Sequence, residues 1–133
     1  MYTISKSFSF CYGHRLLNDK GRCRHLHGHT AKALFVLGND KLDKHGMVFH
    51  FDRLKETIGK WLEENFDHTL LLSEEDPMVK LLEKIGERIH TFPFNPTAEN
   101  IARTLFEKAM SFGLPVIKVE VWESESAKAS YEN

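Results

Sequence analysis

Apolar and polar positions alternate strictly at the start of the chain. Tyr2, Ile4, Phe8, Phe10 and Tyr12 share one parity, and Thr3, Ser5, Ser7 and Ser9 hold the other. A period of two puts the first set on one face, the pattern of a half-buried strand over residues 2–12. The polar stretch from Asn18 to Arg24 predicts a loop. Alternation resumes over residues 29–37, with His29, Ala31, Ala33, Phe35 and Leu37 on one face, and Gly38-Asn39-Asp40 then turns the chain. Asp52 is the expected N-cap of a helix carrying Leu54, Ile58, Trp61 and Leu62 on one side. A shorter helix is expected from Pro77 to about Ile89. Pro96-Thr97 opens another, with Thr97 as cap and Ile101, Leu105, Phe106 and Ala109 facing inward. Gly113-Leu114-Pro115 ends it, Ile117, Val119 and Val121 mark a third strand, and a short fourth is expected from about Ala127 to Tyr131.

The order strand, strand, helices, strand, strand predicts an α+β fold, with helices on one face of a four-stranded antiparallel sheet. The two open edges of such a sheet need cover or a partner, so self-association is expected. The length of 133 residues predicts a single domain over 1–133. Eighteen Lys and Arg against nineteen Asp and Glu leave a net charge of −1, which gives no case for nucleic acid or an anionic membrane as partner. No apolar run approaches membrane-spanning length, and the first residues lack an apolar signal core. The two cysteines, Cys11 and Cys23, are therefore read as reduced thiols in a cytoplasmic protein.

Eight histidines are an excess for this length, and the informative stretch is Cys23-Arg24-His25-Leu26-His27-Gly28-His29. On a strand, His27 and His29 project from the same face and can share one metal ion. Zinc takes tetrahedral nitrogen or sulfur ligands, and a catalytic site leaves one position open. His14, in phase with Phe8, Phe10 and Tyr12, is the third ligand if the two strands pair antiparallel. His25 faces away by the same alternation, and His45 and His90 carry no local signal. Cys23 has two readings, a fourth ligand closing the site or a free thiol whose pKa the metal lowers for proton transfer. Cys11 is expected to be a small buried filler within its strand. Asp67 beside His68 can orient that ring, a pairing that also occurs by chance. Glu123 shares the parity of Val119 and Val121, and the strand pattern favours a solvated carboxylate over one aimed into a pocket.

Together these segments resemble the 6-pyruvoyl-tetrahydropterin synthase and 6-carboxytetrahydropterin synthase family. The matching residues are Phe8-Ser9-Phe10, Gly13-His14-Arg15-Leu16, Cys23 with His27-Gly28-His29, Gly46-Met47-Val48 with Phe51 and Leu54-Lys55, Phe66-Asp67-His68, Asn95 to Asn100, and Val121-Trp122-Glu123. They occur in the family's order and cover essentially the whole chain. The resemblance implies the tunnelling fold (T-fold), with helices inserted between the second and third strands. It implies a homohexamer, a dimer of trimers, with active sites between subunits. It further implies one Zn2+ per subunit on His14, His27 and His29, and a pterin triphosphate substrate, 7,8-dihydroneopterin triphosphate. Cys23, Asp67 and His68 would then be catalytic, Glu123 would hold the pterin edge, and Thr97 would contact the pterin. Arg22, Arg24 and Lys20 are further candidates for the triphosphate.

Three residues separate Cys23 from His27. That interval resembles the carboxy-forming type of the queuosine pathway, the pyruvoyl-forming type having a longer one. A third type carries Glu three residues before the first His of the motif, where this chain has Arg24. One departure is His50, where the family usually has Asp. The resemblance thus implies a lyase that forms 6-carboxytetrahydropterin, with the pyruvoyl-forming sibling next. From another class, a non-catalytic pterin-binding module with a structural zinc is the alternative. A zinc hydrolase is disfavoured because it gives Cys23 no role.

Overall fold

The computed structural model describes residues 1–133. Its elements are β1 (Tyr2–His14), β2 (His27–Asn39), α1 (Phe51–Leu54), α2 (Lys60–Asn65), β3 (Thr69–Ser73), α3 (Met78–Lys84), β4 (Ile89–Phe92), α4 (Ala98–Ser111), β5 (Val116–Trp122) and β6 (Lys128–Glu132). A single wide π turn, Lys55–Gly59, joins α1 to α2 into one helical run. The two long alternating segments pair antiparallel over their whole length, from Tyr2 opposite Asn39 to His14 opposite His27. Phe10, Tyr12, Ala31, Ala33, Phe35 and Leu37 lie on the buried face of that ladder, as alternation requires.

The sheet has six strands in the order β4-β3-β1-β2-β5-β6, not the four expected, and it is mixed. β3 runs parallel to β1 and to β4, while the β1–β2, β2–β5 and β5–β6 pairs are antiparallel. The additional strands escaped the pattern for identifiable reasons. β3 reads Thr-Leu-Leu-Leu-Ser and is buried at four of its five positions, so it shows a short apolar run instead of alternation. The expected Pro77–Ile89 helix stops at Lys84, because Gly86 adopts a left-handed φ of +80° and turns the chain into β4.

Two further differences are local. Asp52 lies in the first turn of α1, and His50 is the cap, its Nδ1 accepting the Asp52 N–H at 3.2 Å. Between Val36 and Leu37 the β2–β5 register shifts, so Lys118 faces Val36 and Val116 faces Leu37. Ile117 is the extra residue of that bulge, and Val116, Val119 and Val121 are the buried apolar side chains of β5. The helices cover one face. Leu54, Ile58 and Leu62 from the long run, with Ile101, Leu105, Phe106 and Ala109 from α4, complete the core over the sheet.

Just past β1, Arg15 Nε donates to Asp76 Oδ2 at 2.7 Å, and its Nη2 donates to Oδ1. Oδ1 also accepts the Met78 N–H at 2.9 Å, at the start of α3. The Arg15 guanidinium, outweighing the cost of burial, holds the Asp76 carboxyl below its ordinary range. A carboxylate held lower in the folded than in the unfolded chain stabilises the fold above the ordinary carboxylate range, and that contribution disappears as pH falls through the folded-state value. Asp76→Asn is therefore expected to lower stability at neutral pH by about 3 kcal/mol, the order for breaking a buried ion pair. The same substitution should flatten the acid limb of stability against pH, measured by urea unfolding across that range.

Candidate metal centre

The last rungs of the β1–β2 ladder build the site. His14 is paired directly with His27, Gly13 with Gly28, and Tyr12 with His29. His14 and Tyr12 share a face of β1, His27 and His29 share a face of β2, and the register brings these faces together. The ring centroids of His14 and His27 are 4.5 Å apart, and each lies 5.1 Å from that of His29. One ligand nitrogen from each ring falls within 4.8 Å of the others, so the three can hold a metal ion. A Cβ at Gly13 would come 2.7 Å from Leu70 Cδ2 of the adjacent β3, so that side chain would have to shift to admit one.

Each ring is aimed by a contact behind it. His14 Nδ1 lies 2.8 Å from the Pro96 carbonyl, and His27 Nδ1 lies 2.7 Å from the His25 carbonyl. A carbonyl fixes the proton on Nδ1 and leaves Nε2 as the free lone pair, the arrangement typical of metal-bound imidazole. Burial, opposed by the Pro96 carbonyl, lowers the His14 pKa and favours the neutral, ligating form. His29 Nε2 is buried without any hydrogen-bond partner, an orphan that an ion would satisfy. Three imidazoles with one nitrogen otherwise unaccounted for are a donor set suited to zinc.

Glu123 is drawn into the site and is not solvated as its strand position suggested. Its Oε1 accepts the Tyr12 hydroxyl at 3.3 Å, and its Oε2 stands 3.6 Å from His29 Nε2. Burial first, then the Glu123 charge, drive the Tyr12 phenol pKa far up and keep it protonated as a donor. Thr97 caps α4, its Oγ1 accepting the Asn100 N–H at 3.1 Å.

Asp67 and His68 form a second group at the β1 edge. His68 Nδ1 is 2.9 Å from Asp67 Oδ2. The Cys11 N–H donates to Asp67 Oδ1 at 2.8 Å, and the His68 N–H donates to the Cys11 carbonyl at 2.6 Å. Burial raises the Asp67 pKa, yet the Cys11 N–H and His68 together hold it below the usual range. His68 takes a left-handed φ of 54°, and its side chain is 78% exposed. Cys11, His27, His29, Thr30 and His68 all line one cavity of about 700 Å³.

Cys23 stands apart. It sits exposed on the 3-10 turn Arg22–Arg24 and does not line that cavity, and its carbonyl accepts the Leu16 N–H at 2.8 Å. Lys20, Arg22 and Arg24 are exposed on the same loop. Pattern reasoning missed Tyr12 and the carbonyls of Pro96 and His25. Tyr12 alone had a signal, being in phase two residues before His14. Cys11, expected to be buried filler, is half-buried and holds Asp67 through its backbone.

Residues 3–133 match the sequence profile of the 6-pyruvoyl tetrahydropterin synthase family. The chain belongs to this family. Curated relatives carry the narrower name 6-carboxy-5,6,7,8-tetrahydropterin synthase. The Rickettsia felis protein of that name is 38% identical over 107 residues, 79% of this chain and 78% of its own length. The Haemophilus influenzae one is 31% identical over 140 residues and 99% of each chain. Among solved structures, an uncharacterized protein from Wolinella succinogenes superposes with a TM-score of 0.82 at 27% identity, over 99% of this chain and 98% of that one. The Caenorhabditis elegans 6-pyruvoyl tetrahydropterin synthase shares the fold, with a TM-score of 0.74 at 24% identity over 99% and 95% of the two chains.

The geometry predicts one tightly bound divalent ion per chain, measured as metal content after dialysis. His14→Ala, His27→Ala and His29→Ala should each abolish stoichiometric uptake. His25→Ala should retain it, because only the His25 backbone meets the cluster.

Proposed function

We propose that the chain is a zinc-dependent 6-carboxy-5,6,7,8-tetrahydropterin synthase. On this reading it is a cytoplasmic lyase of queuosine biosynthesis that converts 7,8-dihydroneopterin triphosphate to 6-carboxytetrahydropterin, releasing acetaldehyde and triphosphate. The observation that carries the reading is the three-imidazole cluster with Glu123 beside it, in a chain whose curated relatives bear that enzyme's name. The three-residue interval from Cys23 to His27 favours the carboxy-forming over the pyruvoyl-forming reaction.

Bound by His14, His27 and His29, zinc would supply Lewis acidity toward the side-chain oxygens of the substrate. The remaining work falls to the chain's own groups. Glu123 binds the guanidine-like edge of the pterin with charge-assisted hydrogen bonds, its Oε2 being free of any hydrogen bond. Thr97, at the head of α4, contacts the same ring. Cys23 as thiolate takes a proton from carbon. Asp67 holds the His68 ring through Nδ1, which leaves the exposed Nε2 to exchange protons. Cys23 lies outside the cavity lined by the metal-binding histidines and His68, an arrangement that fits sites completed between subunits of a homohexamer.

Incubation with 7,8-dihydroneopterin triphosphate, followed by mass spectrometry, should yield 6-carboxytetrahydropterin and acetaldehyde. A pyruvoyl product without acetaldehyde would reassign the chain to the sibling reaction. Cys23→Ala should keep its zinc and lose about a hundredfold or more in rate, as removal of a general base does. Loss of zinc with the thiol, together with a wild type that turns nothing over, would favour a binding module instead.

A further inference from the structure

We infer that Asn95 is a positioning residue that couples the metal ligand His14 to the loop bearing Cys23. The inference rests on the metal and thiol roles proposed above, and it concerns a residue that touches neither the ion's ligand atoms nor the cavity.

The Asn95 side chain makes a two-way pairing with one backbone residue. Its Oδ1 accepts the Leu17 N–H at 2.8 Å, and its Nδ2 donates to the Leu17 carbonyl at 2.9 Å, across 78 residues of sequence. An amide used this way replaces a neighbouring strand, satisfying a donor and an acceptor that the loop cannot satisfy itself. The base of that loop is tied from its other end as well, because the Leu16 N–H donates to the Cys23 carbonyl at 2.8 Å. Leu16 and Leu17 thus stand between Cys23 on one side and Asn95 on the other.

The backbone of Asn95 is equally fixed. Its carbonyl accepts the Asn100 Nδ2 and the Thr97 N–H, each at 2.9 Å, which anchors it to the start of α4. The next carbonyl along, that of buried Pro96, is the one facing His14 Nδ1 at 2.8 Å. The proline ring fixes φ at this position, so the carbonyl direction follows the placement of residues 95 and 97. One dipeptide therefore sets the tautomer and orientation of His14 and the seat of the Cys23 loop together. Releasing the amide frees both.

The test uses the full chain, with zinc competed against a chromophoric chelator and unfolding of the metal-free protein followed in parallel. Asn95→Ala is expected to weaken zinc binding by about 10–100-fold, the range for losing a partner behind a metal ligand. At saturating zinc its kcat should still fall at least about tenfold, because the loop is released too. Asn95→Asp, which keeps the acceptor for the Leu17 N–H and loses the donor, should fall between, and it serves if the alanine variant does not fold. Arg103→Ala, which breaks the exposed pair with Glu107 on α4, should leave zinc affinity unchanged. Wild-type zinc affinity in either Asn95 variant, or full kcat at saturating zinc, would overturn the coupling alone. A wild-type protein that takes up no zinc would bring down the metal reading and this inference with it.

Discussion

The register of a single antiparallel ladder governs both the core and the chemistry of this protein. The pairing that sets His14 against His27 is the same one that turns Phe10, Tyr12, Ala31, Ala33 and Phe35 inward. Because side chains alternate with a period of two, a slip by one residue would expose the core and swing one imidazole to the opposite face. Hydrophobic burial therefore pins the three imidazoles in one cluster.

What the ladder cannot do alone, the loops complete. Two imidazoles are oriented by carbonyls from Pro96 and His25, and the third is left with a buried, unpartnered nitrogen beside the Glu123 carboxylate. Tyr12 bridges the groups, buried among the rings and donating its hydroxyl to Glu123. At the edge of the same strand, the peptide groups of Cys11 grip Asp67 and His68. β1 thus serves chemistry in two ways, inward through side chains and sideways through backbone. The parallel pairing with β3 makes the second possible, because it delivers Asp67 and His68 directly beside Cys11.

Much of this was legible in the residues. Alternation located β1 and β2, and phase, on the condition of antiparallel pairing, joined His14 to His27 and His29. Thr97 was recognisable as a cap, and so were the inward positions of α4. Other features were hidden for physical reasons. β3 is covered on both faces and so lost its period, and β4 is short and follows a helix that ends on Gly86. The bulge at Ile117 shifted the phase of β5. The engagement of Glu123 depends on Tyr12 two strands away, which no local pattern encodes. The cap of α1 fell to His50, whose ring nitrogen does there what a carboxylate at that position would do. Backbone carbonyls that aim imidazoles are invisible to sequence patterns, since every residue has one.

The proposed chemistry requires an ion held by three imidazoles, with the Cys23 sulfur free for proton transfer. X-ray absorption at the zinc edge of the purified protein tests this most directly. It should show three imidazole nitrogens at about 2.0–2.1 Å, a light-atom fourth ligand and no sulfur in the first shell. A zinc–sulfur distance of about 2.3 Å would contradict it, placing the thiol on the metal and closing the position the substrate needs.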